Sequence, residues 1–117
     1  MKNKVWTFDP HIGGNPVPPD LRKIVCARLL IESDRIGLSK KATVKIRFRG
    51  AFCYVDAIEE KNPFPTHLFR LRYFSNLKKW SVSFFTYSND AYSPCFFPTG
   101  EMLGDPEEAM PLASVYL

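Results

Sequence analysis

Residues 43–58 read TVKIRFRGAFCYVDAI, with Val44, Ile46 and Phe48 apolar and Lys45, Arg47 and Arg49 cationic in strict alternation. Successive side chains of a strand point to opposite faces, so this period of two reads as a half-buried strand. Gly50-Ala51 suits a two-residue type II′ turn, which takes glycine at its first central position. A hairpin closed there pairs Phe48 with Cys53, Ile46 with Val55 and Val44 with Ala57 on one face. On the other it pairs Arg49 with Phe52, Arg47 with Tyr54 and Lys45 with Asp56. A slip of one residue would scramble both sets, so the clean sorting supports this register. One face is for a core, and the other is cationic and aromatic.

Downstream, residues 67–87, HLFRLRYFSNLKKWSVSFFTY, sort by the same rule. A four-residue loop at 75–78 pairs Tyr73 with Trp80, Leu71 with Val82 and Phe69 with Phe84. The opposite face then holds Arg72 with Ser81, Arg70 with Ser83, and Leu68 with Phe85. EEKNPFPT, residues 59–66, is the proline-containing connection between the hairpins. The two hairpins predict a four-stranded antiparallel sheet with one buried face.

The flanks are helical or irregular. Residues 1–19 hold four prolines and the pair Gly13-Gly14, and read as an irregular arm. Pro18 and Pro19 open an amphipathic helix of three or four turns that carries Leu21, Ile24, Val25 and Leu29. Arg22, Lys23 and much of Arg28 face away from its apolar stripe, and residues 33–41 form the exit to the sheet. Beyond the second hairpin, SNDAYSP reads as a loop and CFFP as a short edge strand stopped by Pro98. Asp105 and Pro106 start a final short helix, and Pro111 predicts a kink or break within it. Ala109, Met110, Ala113 and Tyr116 are its expected packing residues. The expected architecture is one α+β domain over residues 1–117: a helix, a four-stranded sheet of two hairpins, and a short kinked C-terminal helix. Both helices lie on one sheet face.

Composition bounds the function. The chain of 117 residues is 45% hydrophobic and 24% charged, in the ordinary globular range. No apolar run approaches the roughly 20 residues of a membrane helix, and the charged start MKNKVWTFDP carries no apolar signal core. Cys26, Cys53 and Cys95 are odd in number and lack C-x-x-C spacing, which fits free thiols and a cytoplasmic location. Residues 1–50 carry 11 Lys and Arg against 4 acidic residues, whereas residues 86–117 carry 5 acidic residues and no Lys or Arg. A basic front of this kind suits an anionic ligand, or attraction between the two halves of the fold.

The stretches RFRGAFCYVDA, THLFRLRYF and TYSNDAYSPCFFPTGE–PEEA resemble a family of short uncharacterised bacterial proteins, from about Asp9 onward. The resemblance implies no activity, ligand, cofactor or catalytic residue. By its order of helix, four strands and helix, the chain is also similar to αβββα RNA-binding domains. Its final helix lacks the lysine cluster with which double-stranded RNA binders grip phosphate.

The candidate site is the non-core sheet face: Lys45, Arg47, Arg49, Arg70 and Arg72 interleaved with Phe52, Tyr54 and Phe74. Single-stranded nucleic acids are bound by this mixture, with bases on aromatic rings and cations along the phosphates. The bland counterpart is an ordinary solvated surface, or one covered by the arm or a second subunit. A second class is a protein-interaction or homodimer module that uses Trp6, Phe8, Tyr92, Phe96 and Phe97 as apolar contacts. Asp9, His11, His67 and a cysteine match no metal-site spacing, and no cofactor motif occurs. Cys53 falls on the core face, Cys95 is the most accessible thiol, and no nucleophile–base pairing stands out. An enzyme is therefore the least favoured class.

Overall fold

The structure, a computed structural model, describes residues 14–75 and 79–115. Helix α1 spans Pro19–Arg35, with Pro18 extended just before it and proline in the first turn. Val25, Leu29 and Ser33 are buried at a spacing of four, which fixes the face turned to the sheet. The Ser33 hydroxyl donates to the Leu30 carbonyl at 2.8 Å and is thereby satisfied in the core. One residue, Ile36, separates the helix from Gly37, whose φ of +82° turns the chain into a short 3-10 turn at Leu38–Lys40.

Five strands follow in a meander: β1 Thr43–Arg49, β2 Phe52–Ile58, β3 Thr66–Tyr73, β4 Trp80–Thr86 and β5 Ala91–Cys95. All neighbours are antiparallel and the spatial order is the sequence order. The first hairpin has the expected register from Thr43 opposite Ile58 to Arg49 opposite Phe52. Gly50 has φ +58° while Ala51 stays negative, the type II′ pattern. The second hairpin pairs Phe69 with Phe84, Leu71 with Val82 and Tyr73 with Trp80 as expected, its loop lying partly outside the described residues.

Four expectations are corrected. The sheet has five strands, because AYSPC pairs with β4 where the composition suggested a loop. Its Pro94 is tolerated because β5 is an edge strand. Leu68 does not face Phe85 on the outer face. A register shift at Val55/Asp56 sets His67 beside Asp56, and Leu68 joins the apolar core. Phe84 is only half-buried and stands outside that core. The last helix is one unbroken 3-10 helix over Pro106–Val115, with no break at Pro111. Its start is capped by Glu108, whose carboxylate accepts from the Asp105 N–H at 2.8 Å.

The core lies between the sheet and both helices. It joins Val25 and Leu29 to Cys53, Val55, Phe69, Leu71, Trp80 and Val82, and to Ala109, Met110 and Ala113 of the last helix. Tyr116 lies outside the described residues. Arg28 does not simply face water: its guanidinium donates to Glu107 through Nε at 3.1 Å and through Nη2. That bond ties α1 to the C-terminal helix. At the tip of the first hairpin, Val17 donates to the Gly50 carbonyl and Asn15 to the Tyr73 carbonyl. Residues 14–18 therefore cross the end of the sheet without regular structure, and the rest of the expected arm, residues 1–13, lies outside the described residues.

Candidate nucleic-acid interface

The alternation that buries one face of each strand turns Lys45, Arg47, Arg49, Phe52, Tyr54, Arg70 and Arg72 to the other. The registers bring them together, since Arg47 sits opposite Tyr54, Tyr54 opposite Arg70, and Phe52 opposite Arg72. Each of three guanidiniums lies over a ring. Arg47 is 4.4 Å from the Tyr54 centroid, Arg70 is 4.3 Å from Phe52 and 4.9 Å from Tyr92, and Arg72 is 4.9 Å from Phe74. Such pairs are attracted through the ring quadrupole, by about 0.5–2 kcal/mol each depending on desolvation. Ser81 and Ser83 stand opposite Arg72 and Arg70.

The eight candidate residues divide by exposure. Arg70 and Arg72 are 8% and 4% exposed. Phe52, Tyr54 and Phe74 are half-buried, while Lys45, Arg47 and Arg49 are open to water. The face thus has a dry floor of two stacked arginines and a wet cationic row along β1. That row repeats every second residue, a period of about 7 Å.

Sequence reasoning missed a second cluster beside this row. Asp56 is buried to 4% and accepts from Nδ1 of His67 at 2.9 Å. A carboxylate only accepts, so Nδ1 of His67 carries a proton. Arg47 Nε approaches the other Asp56 oxygen at 3.5 Å, an ion pair rather than a good hydrogen bond. His67 lies 4.9 Å from the Phe85 ring, which packs edge-on against Tyr87 and Tyr92. Tyr87 accepts from the His67 backbone N–H at 2.7 Å. The available signal was the single acid in the apolar run FCYVDAI, which alternation places on the same face as Tyr54. The bulge that brings His67 to it had no such signal.

The tail aromatics scatter. Phe97 is 2% exposed in the core, Phe96 is 60% and 'outside' it, and Tyr92 belongs to the outer face. Trp6 and Phe8 lie outside the described residues. Burial pushes the thiols of Cys26, Cys53 and Cys95 up, Cys53 furthest. Among the described residues no three of His, Cys, Asp and Glu group as metal ligands, and Asp9 and His11 are not among those residues. No helix among them is long and apolar enough to cross a membrane. No protein-family model matches the chain, and no curated protein or solved structure matches it.

Proposed function

We propose that this domain is a non-catalytic binding module that contacts single-stranded nucleic acid through the outer face of β1 and β2. The observation that carries the reading is the water-exposed row Lys45, Arg47 and Arg49 beside the half-buried rings of Phe52 and Tyr54. In this reading the row meets phosphates and the rings meet bases. Arg70 and Arg72 hold Phe52, Tyr92 and Phe74 in place from below. Arginine suits the arrangement because its planar group stacks and also binds phosphate through two parallel bonds.

Fluorescence anisotropy with short labelled oligonucleotides tests it. Binding should favour single strands over duplex and weaken as salt rises, with a log–log slope near −0.7 for each phosphate neutralised. Arg47→Ala should make that slope shallower by about 0.7 without unfolding the domain. Tyr54→Ala should cost about 1–3 kcal/mol of affinity and leave the slope nearly unchanged. No binding to RNA or DNA at low salt would overturn the reading.

A further inference from the structure

β1 is the outermost strand of the sheet, and among the described residues no other segment hydrogen-bonds to its outer edge. In a two-residue hairpin the residues flanking the turn exchange both backbone bonds, and the pattern alternates from there. Arg49, Arg47, Lys45 and Thr43 therefore direct their N–H and C=O groups at β2, opposite Phe52, Tyr54, Asp56 and Ile58. Val44, Ile46 and Phe48 direct theirs away from the sheet. The strand has 7 residues with no proline, and its pairing has no bulge. The opposite edge, β5, has 5 residues and carries Pro94. Sheet edges are ordinarily blunted by short strands, proline, bulges or charged side chains. β5 is blunted by its length and Pro94, and β1 only by the charges of Lys45, Arg47 and Arg49.

Charge selects what fits there. A second copy of β1 paired antiparallel about Ile46 would set Lys45 against Arg47 of that copy, and Arg47 against its Lys45. Like charges directly opposite are destabilising, so self-pairing is disfavoured. The chain's own acidic residues in 86–117 are Asp90, Glu101, Asp105, Glu107 and Glu108, which never alternate with apolar ones. A strand with Asp or Glu at every second position matches both faces of the edge. Its carboxylates fall beside Lys45, Arg47 and Arg49. Its apolar residues fall beside Val44, Ile46 and Phe48, which are half-buried and pack on the core.

We propose that the outer edge of β1 docks an extended segment of a protein partner, acidic and apolar by turns, as a sixth, antiparallel strand of the sheet. Main-chain bonds to Val44, Ile46 and Phe48 supply the pairing, and the cationic row supplies the selectivity. The same row faces phosphate in the nucleic-acid reading, so such a segment competes with nucleic acid. The edge amides belong to the strand alone, and the inference stands without that reading.

The test uses the full chain and a labelled, end-capped peptide, Glu-Val-Glu-Val-Glu-Val-Glu. Anisotropy at low salt should show binding, and hydrogen exchange should slow at the amides of Val44, Ile46 and Phe48. Methylating the valine amide nitrogens of the peptide keeps its charge and removes the donors that face the edge. Affinity should then fall about tenfold or more, at about 1 kcal/mol per lost bond. The lysine counterpart of the peptide should not bind. Equal affinity of the methylated peptide would overturn the inference, because charge alone would then explain the contact. Absence of binding would overturn it too, as would a concentration-dependent dimer in sedimentation that excludes the peptide. Peptide binding without oligonucleotide binding would sink only the nucleic-acid reading.

Discussion

Tyr92 carries its hydroxyl into the outer aromatic layer, where the oxygen is buried with no hydrogen-bond partner among the described residues. Burial first, then the charge of Asp56, pushes its phenol up to about 12, against the opposing pull of Arg47 and Arg70. The unfolded chain therefore loses this proton before the folded one does. The contribution to stability is whole below pH 10 and is lost as pH rises toward 12. Tyr92→Phe should remove that part of the alkaline loss in denaturant titrations, and should not destabilise the domain at neutral pH, since no bond is broken. A marked loss at neutral pH would show that the hydroxyl is satisfied after all. Gly14 makes an opposite case. A Cβ there would lie 2.7 Å from the Tyr73 carbonyl oxygen, at a φ of +81°. Gly14→Ala should cost about 1–3 kcal/mol in chemical unfolding, and an unchanged midpoint would mean that residues 14–18 contribute nothing to stability.

Between elements, the Arg28–Glu107 contact joins α1 to the last helix across 79 positions of sequence. Arg28→Ala leaves Glu107 half-buried without its cation, and should lower stability by about 1–3 kcal/mol. Arg28→Lys should recover only part of this, because one ammonium does not replace the Nε and Nη2 pair. The contact was invisible from the helix period, which speaks only of which residues face away from the apolar stripe. The hairpins were legible for the opposite reason. Their partners are local in sequence, and one residue of slip would have exchanged Phe48 for Arg49 in the core. Legibility stopped where pairing ceased to be regular. The bulge at Leu68 reversed its face, and β5 hid behind Pro94 and turn-forming residues because an edge strand needs neither a complete ladder nor an apolar face. Of the candidate site, the face and its eight residues followed from alternation. The depth of Arg70 and Arg72 did not, since it depends on the rings that cover them.

Over the whole molecule, a meander turns chain order into spatial order. The asymmetry of charge along the sequence thus becomes a gradient across the sheet. Lys40, Lys41, Lys45, Arg47 and Arg49 lie on or just before β1, and exposed Asp90 and Glu101 flank β5. The two edges stand about 19 Å apart at the spacing of neighbouring strands, which exceeds a Debye length of about 8 Å at physiological salt. An anionic ligand approaching β1 is therefore steered by the near cations and hardly feels the far acids. If the module binds single strands as proposed, stopped-flow association at low salt should slow about tenfold or more when Lys45, Arg47 and Arg49 are all changed to alanine. Dissociation should change less, because the base-stacking rings remain. Asp90→Asn with Glu101→Gln should leave the association rate nearly unchanged at physiological salt. An association rate indifferent to the β1 cations, in a protein that still binds the strand, would move the binding surface off this face.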